Sequence, residues 1–498
     1  QTIVICGVLN VVFAAHSGLW GVLIIDMIQF FIKMTAVFAA AWFSLVEVGE
    51  RLVGKGAGGW AGLKALVEKL STQQVVIPKV QKMVDGVAQV KDGVPVMVEG
   101  QPVMSVINGT GQPFLDMLPN FTMSELALMI FILPIAIGWW ANWYPGAEPG
   151  GGSYIAQRML ASKSEKDSLG GTLFFNIAHY VLRPWPWIIT ALCSIIVYPD
   201  LASIKSAFPA ADVALIGHDS AFPAMLKFLP VGFVGLMVGG LIAANSSTIL
   251  THLNWGSSYL VHDFYRRFIN KDATEGHYIN VGRLSTVVLY VFAAVLSLFM
   301  TSAQQAFEVL LSIGAGTGLI YIARWFWWRV SAWCEIVAML MSLVTSLAVP
   351  LLMPDTGFAT RTIVQVTITT LAWLITAYVG PETDRATLIS FYRKVKPVGP
   401  GWTDIRAEAG VTDAEVAQEN RIGSALLGWI SGCVVIWSSL FAIGNFLYSS
   451  GDPTRLKMAW ILTAVFAVSS YVLLKVTQQL WADSTASQER EDERLKQG

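Results

Sequence analysis

The sequence predicts an all-α, polytopic membrane protein, and three observations predict it. The chain has 498 residues, of which 54% are hydrophobic and only 13% charged, against about 25% charged in soluble proteins. Mean hydropathy is +0.56. Apolar runs long enough to cross about 30 Å of hydrocarbon recur at 18–46, 123–144, 169–198, 228–259, 284–301, 306–323, 335–353, 362–380, 424–447 and 457–477. A large soluble core does not account for this, because a soluble surface would still need charge. The lipid bilayer is therefore the first partner implied. A net charge of −1 gives no sign of a nucleic-acid partner.

Taken in order, a partial run at 2–15 precedes the first full span. With Gln1 rather than Met at the start, it reads as a helix entered partway, and the chain is expected to be a fragment. The span 18–46 carries Asp26 between Ile25 and Met27. An ionisable group inside a span is a functional candidate by default, although from the cytoplasmic third Asp26 would also reach the interface. The long loop 47–122 contains Leu63, Leu66, Val67 and Leu70 at i, i+3, i+4 and i+7. That spacing predicts an amphipathic helix from Trp60 to Leu70, lying on the membrane or capping a vestibule. Asp85-Gly86 and Asp92-Gly93 between valine-rich runs predict two small β-hairpins.

The span 123–144 runs into Trp139-Trp140-Ala141-Asn142-Trp143-Tyr144-Pro145-Gly146-Ala147-Glu148-Pro149-Gly150-Gly151-Gly152-Ser153-Tyr154. Freed backbone groups at bilayer depth survive only inside protein or beside water, and broken helices there are where secondary transporters bind their cargo. The other reading is a plain loop between helices, with Glu148 exposed. A helix starting at 123 puts Pro145 about 33 Å along, near the far interface; a start nearer Ile130 brings the break toward mid-membrane. A freed helix end offers N–H donors to an anion, and Glu148 suits a cation.

In the next span His179 and Arg183 precede Pro184, and either line a cavity or satisfy packing. The span 228–259 carries Ala244, Ser247, Thr248 and Thr251 on one face. A backbone carbonyl and two hydroxyls are hard oxygen donors suited to an alkali cation. The same hydroxyls would also serve simply by bonding back to the preceding turn or packing between helices. Gly235 and Gly239 form a GxxxG pair expected to allow close packing. Gly314, Gly316 and Gly318 soften the span 306–323 as close packing or as a hinge, and Arg324-Trp325-Phe326-Trp327-Trp328-Arg329 follows as an interfacial anchor. The loop 381–423 is turn-rich at Pro397–Gly401, and Thr412 with Glu415 forms a capping box that starts a short helix.

Basic residues cluster after alternate spans: Arg158, Lys163 and Lys166; Arg266, Arg267, Lys271 and Arg283; Arg324 and Arg329; Arg385, Arg393, Lys394 and Lys396. These loops and the charged tail are expected in the cytoplasm. Cys6, Cys193, Cys334 and Cys433 show no CxxC spacing and read as small buried residues. The six histidines (16, 179, 218, 252, 262 and 277) show no metal-ligand spacing, and no HExxH, GxSxG or phosphate loop occurs. No enzyme is expected.

Four local patterns resemble the sodium:solute symporter family. They are Gly18-Leu19-Trp20 followed by Asp26-Met27-Ile28-Gln29, the run from Tyr154 to Lys163, the Ala-Ala-x-x-Ser-Thr helix at 243–248, and Asp263-Phe264-Tyr265-Arg266. The resemblance implies a LeuT-like five-plus-five inverted repeat. On that map residues 1–323 are a transporter core lacking its first helices, with 47–122 an extracytoplasmic insertion. Residues 324–478 are peripheral helices with the cytoplasmic loop 381–423, and 479–498 are a charged cytoplasmic tail. The resemblance further implies sodium held by the Ala244 carbonyl and the Ser247 and Thr248 hydroxyls, with Asp26 on the inward ion path. A small polar solute such as a sugar or amino acid is implied beside Asn142, Trp143, Tyr144 and Glu148, with sodium as co-transported ion and no organic cofactor. The stretch Pro145–Gly152 departs from the sugar-transporting members, being longer and lacking their second aromatic at 145. A sensor that keeps the symporter fold is the second class; a fused kinase or response domain would favour it, and the tail after Gln478 offers none.

Overall fold

A computed structural model describes residues 2–76, 79–81, 83–84, 87–88, 90–91, 94–95, 97–99, 103–107, 111–121, 127–138, 159–212, 216–299, 303–354, 356–397, 399–412, 415–416 and 422–497. Side chains of 2–26, 79–103, 303–311 and 483–497, and of Ile130, Glu165, His218, Ser247 and Leu250, lie outside that description. Among the described residues eight helices are long and apolar enough to cross a membrane: Met27–Leu52, Lys166–Val197, Val231–Ile269, Glu275–Ser297, Ala332–Leu352, Phe358–Val379, Ile422–Leu447 and Pro453–Ala482. Each coincides with an expected span. The expected spans 123–144 and 306–323 are described in part, as a π-helical tract within 127–138 and a helix Ala303–Phe326. The protein is an all-α polytopic membrane protein.

The runs 2–15 and 18–46, expected as separate segments, form one helix, α1 (Thr2–Leu52). His16 and Ser17 between them stop nothing, and a helix-interior Gly18 costs only about 1 kcal/mol against alanine. The chain divides into two compact units, residues 1–68 with 183–305, and residues 69–182 with 306–498.

In the first unit α1 packs on α5 (Val231–Ser258), defined here after α2 (Gly59–Leu70), α3 (Glu165–Asn176, in the second unit) and α4 (Pro184–Val197). Ala36, Val37 and Ala40 meet Leu229 and Met237 in a buried cluster. Two alanines on one stripe let the helix backbones approach. The expected amphipathic helix is α2, and Leu63, Leu66, Val67 and Leu70 are all buried. It seats on the end of α1, where a Cβ on Gly62 would run into the Leu45 carbonyl and one on Gly59 into the Trp42 ring. Arg51 near the C-terminal end of α1 donates to the Val197 carbonyl at 3.2 Å. The charge alternation assigns these two sites to the same side of the membrane. α6 (Glu275–Ser297) completes the unit.

In the second unit the loop after α2 forms a three-stranded sheet of β1 (Gln73–Val76), β8 (Val103–Val106) and β9 (Gln112–Pro113), with β1 central. β2 (Lys79–Gln81) pairs with β7 (Met97–Glu99). Both expected hairpins form: β3 (Met83–Val84) pairs with β4 (Val87–Ala88) and β5 (Val90–Lys91) with β6 (Val94–Pro95). The registers Val84↔Val87 and Lys91↔Val94 leave two residues for each turn, which are the Asp-Gly pairs.

α7 (Ala303–Phe326), α8 (Ala332–Leu352) and α9 (Phe358–Val379) share a core of Ile320, Tyr321, Cys334, Ala338, Trp373 and Ala377. Ser342 of α8 donates to the Ile313 carbonyl of α7 at 2.6 Å. The basic-aromatic belt does more than face an interface. The Trp402 indole donates to the Arg324 carbonyl at 3.1 Å, the Gly401 N–H to the Phe326 carbonyl at 3.0 Å, and Arg329 pairs with Glu382 at 2.7 Å. These bonds dock α10 (Arg385–Val395) and α11 (Thr403–Ala409), which are joined by Arg385 to Glu408. That guanidinium holds the Glu408 carboxyl below the usual carboxylate range. The capping box forms as expected, with the Thr412 N–H on the Glu415 carboxylate at 2.8 Å and the Glu415 N–H on the Thr412 hydroxyl at 3.3 Å.

α12 (Ile422–Leu447) and α13 (Pro453–Gln497) pack along each other. Arg455 donates to the Leu115 carbonyl at 3.1 Å, and Lys166 lies 5.3 Å from the Trp481 ring. Each of these contacts again joins segments that the alternation of basic loops assigns to one side.

Candidate functional site

α5 carries the oxygen cluster expected from sequence. Positions 237, 240, 241, 244 and 248 fall at helical spacing, so Met237, Gly240, Leu241, Ala244 and Thr248 form one stripe facing α1 and α4. Between these helices lies a cavity of about 310 Å³, lined also by Lys33 and Val37 of α1 and by Arg183 and Trp187 at the start of α4. Its approach is set at Gly240, where a Cβ would stand 3.7 Å from the Lys33 Cα. The expected GxxxG pair plays no such part: among the described residues nothing lies within 4 Å of a Cβ at Gly235 or Gly239. Those two sit on the far side of the stripe, and Gly240 takes the role assigned to them.

Thr248 Oγ1 donates to the Ala244 carbonyl at 3.0 Å. This is the back-bonded arrangement of a hydroxyl in a membrane helix. It uses the hydroxyl proton and leaves the oxygen lone pairs to accept or coordinate, so it is compatible with a cation site. The Thr248 carbonyl in turn accepts from His252 Nδ1 at 2.8 Å, which fixes the proton on that nitrogen. Thr251 is buried and Thr248 exposed. Ser247 stands on the same helix, with its side chain outside the described residues. A second, mostly apolar cavity of about 500 Å³ lies between α5 and α6 and is lined by Asn245, Ile249, His252 and Tyr290.

Asp26 lies in α1, two turns before Lys33, and its side chain is outside the described residues. Asn142, Trp143, Tyr144 and Glu148, with the whole broken stretch, are also outside them. The two residues expected either to line a cavity or to pack divide between the roles. Arg183 lines the 310 Å³ cavity. His179 stacks on Phe175 at 5.1 Å and meets Tyr180 edge-on at 4.6 Å.

Lys33 was not singled out by its sequence, yet a signal was there. It is the one charge between Met27 and Val46, and a cation inside a span is a functional candidate on cost alone. Trp187 carried no such signal, because aromatic residues are common throughout the apolar runs. The donor set at Ala244 and Thr248 is oxygen only, suited to a hard monovalent ion and to no redox or acid–base chemistry.

The family pattern of sodium:solute symporters matches residues 1–341, a stretch that contains α1 to α7 and the oxygen cluster. The chain belongs to the sodium:solute symporter family. It is 26% identical over 226 residues to the sodium/glucose cotransporter of Vibrio parahaemolyticus, covering 43% of this chain and 41% of that relative. It is 28% identical over 115 residues to the osmoregulated proline transporter OpuE of Bacillus subtilis, 23% of each chain. It is 27% identical over 190 residues to the sodium/myo-inositol cotransporter 2 of Oryctolagus cuniculus, covering 35% of this chain and 27% of the relative. Each match spans well under two thirds of the relative's length. As a symporter-family chain with eight apolar membrane-length helices, it is a multi-pass membrane protein.

Proposed function

We propose that this chain performs sodium-coupled symport of a small polar solute by alternating access. The observation that carries the reading is the oxygen-only turn Ala244–Thr248 facing a cavity between three helices, in a chain of this family. Sodium is cargo here. The Ala244 carbonyl and the Ser247 and Thr248 hydroxyls hold it, and Asp26 lies on its inward path. The solute binds beside Asn142, Trp143, Tyr144 and Glu148. No organic cofactor takes part, and the chain is a carrier rather than an enzyme. The relatives' names pair sodium with glucose and myo-inositol, or name proline, which supports a solute of that small polar kind.

On this reading the core is a LeuT-like inverted repeat over residues 1–323, with 47–122 as an extracytoplasmic insertion and 324–478 as peripheral helices. The chain sits in the cell membrane with its loop 381–423 and tail 479–498 in the cytoplasm. Coupling requires that sodium and solute each bind one access state in preference to the other. The test is uptake by the full-length protein in proteoliposomes under an imposed sodium gradient. Ser247→Ala combined with Thr248→Ala abolishes the sodium dependence of uptake. Undiminished sodium-driven uptake in that double variant overturns the ion site.

A further inference from the structure

The cavity beside Ala244 and Thr248 has two cationic walls. Lys33 reaches it from α1 and Arg183 from the start of α4, and its described lining residues include no carboxylate. We propose that the transported solute is an anion, and that Lys33 and Arg183 hold its carboxylate next to the sodium-binding turn. The proposal rests on the symport reading and adds the chemical class of the solute to it.

Three features of the site argue for it. First, the placement of Lys33 is enforced rather than incidental. It stands in an otherwise uncharged run, and Gly240 brings α5 to within van der Waals reach of its backbone, one turn from Ala244. A cation kept inside a span is expensive and marks a pathway or a binding partner. Second, the two cations differ in what they offer. A guanidinium presents paired donors to a carboxylate, while an ammonium acts as a point charge. Together they bind one end of a small anion from two sides. Third, the rest of the wall is apolar and aromatic, from Trp187, Met237 and Leu241. A cavity of about 310 Å³ is at the small end of ligand sites, and it suits a short-chain carboxylate with its hydrocarbon end against those residues.

The same arrangement supplies the coupling. A sodium ion entering beside two fixed cations is repelled by both. A carboxylate between them cancels that repulsion, so the anion raises sodium affinity, and by linkage sodium raises anion affinity by the same factor. A neutral solute in this cavity gives no such coupling.

The experiment uses the full-length protein in proteoliposomes, with radiolabelled propionate, lactate, glucose, myo-inositol and proline as probes. The proposal expects sodium-driven accumulation of at least one of the two carboxylates. It also expects the half-saturating concentration of that carboxylate to fall about tenfold or more when sodium is raised to saturation. Lys33→Met and Arg183→Gln each weaken its uptake about tenfold or more, and Lys33→Arg restores most of it. The wild-type sodium dependence stands as evidence even where a variant fails to fold. Sodium-driven uptake confined to glucose, myo-inositol or proline overturns the proposal and leaves the symport reading intact. Carboxylate uptake indifferent to both substitutions in monodisperse protein overturns the assignment of Lys33 and Arg183. No sodium-driven uptake of any probe overturns the proposal and the symport reading together.

Discussion

At Gly316 the side chain is a single hydrogen, and a Cβ there would run into the Ser342 hydroxyl of α8 and stand 3.1 Å from Thr369 Oγ1 of α9. Three helices meet at this point because nothing protrudes from the first of them. The sequence left Gly314, Gly316 and Gly318 open between packing and hinge; for Gly316 the answer is packing. Gly316→Ala is expected to destabilise the protein by about 1–3 kcal/mol through overpacking, read as a lower thermal midpoint in detergent. Gly232→Ala, with nothing described within 4 Å, should stay at or above the wild-type midpoint, since alanine is the better helix former. Equal loss in the two variants would show that the three-helix contact is not what Gly316 serves. Residue-level legibility followed chemistry that repeats. Leu63, Leu66, Val67 and Leu70 were readable because a burial stripe has a period, and Thr412 with Glu415 because a capping box has a fixed offset. Which glycine of Gly235, Gly239 and Gly240 faces a neighbour was not readable. That depends on the rotation of α5 about its axis, a tertiary property with no local signature.

Among the elements, α2 shows how far a periodic segment predicts its own docking. Its apolar face is legible, but its seat on α1 depends on Gly62 and Gly59 meeting Leu45 and Trp42, a match between segments that no single window displays. Gly62→Val should break that seat, exposing Leu66, which is 1% exposed in the wild type. Hydrogen exchange across 59–70 then rises by at least tenfold relative to the wild type, while exchange in α12 and α13 is unchanged. Unaltered exchange across 59–70 would mean that the β-strands after it, rather than α1, hold α2 in place. The candidate site was legible in the same partial way. The hydroxyl pattern on α5 announced oxygen donors, and Thr248 does face a cavity with Ala244. Two of the cavity's walls come from α1 and α4, which are distant in sequence, and Lys33 and Arg183 meet only through the fold.

For the whole molecule, the alternation of basic loops predicts which segments share a side, and contacts within each unit agree with it: Arg51 with Val197 in one, and Arg455 with Leu115 and Trp402 with Arg324 in the other. The charge bias then predicts the absolute orientation. On intact cells, a Lys55→Cys variant should react with a membrane-impermeant maleimide, and a Lys271→Cys variant only after permeabilisation, both on a background with the native cysteines replaced. The opposite pattern would invert the topology while leaving the threading intact. One further consequence follows from the π-helical tracts at Leu128–Ile132, Pro134–Gly138, Ile177–Leu182 and Tyr259–Ile269. The tracts at Pro134 and beside Pro184 adjoin a residue that cannot donate to the preceding turn, but Tyr259–Ile269 contains no proline. A π turn holds one residue more than the α turn it replaces. Sliding that surplus residue along a helix turns the intervening side chains by about 100° without breaking the chain's path. These helices therefore carry their own slack, and a face can be re-aimed by redistributing one peptide, with no glycine hinge and no change in where the helix begins or ends.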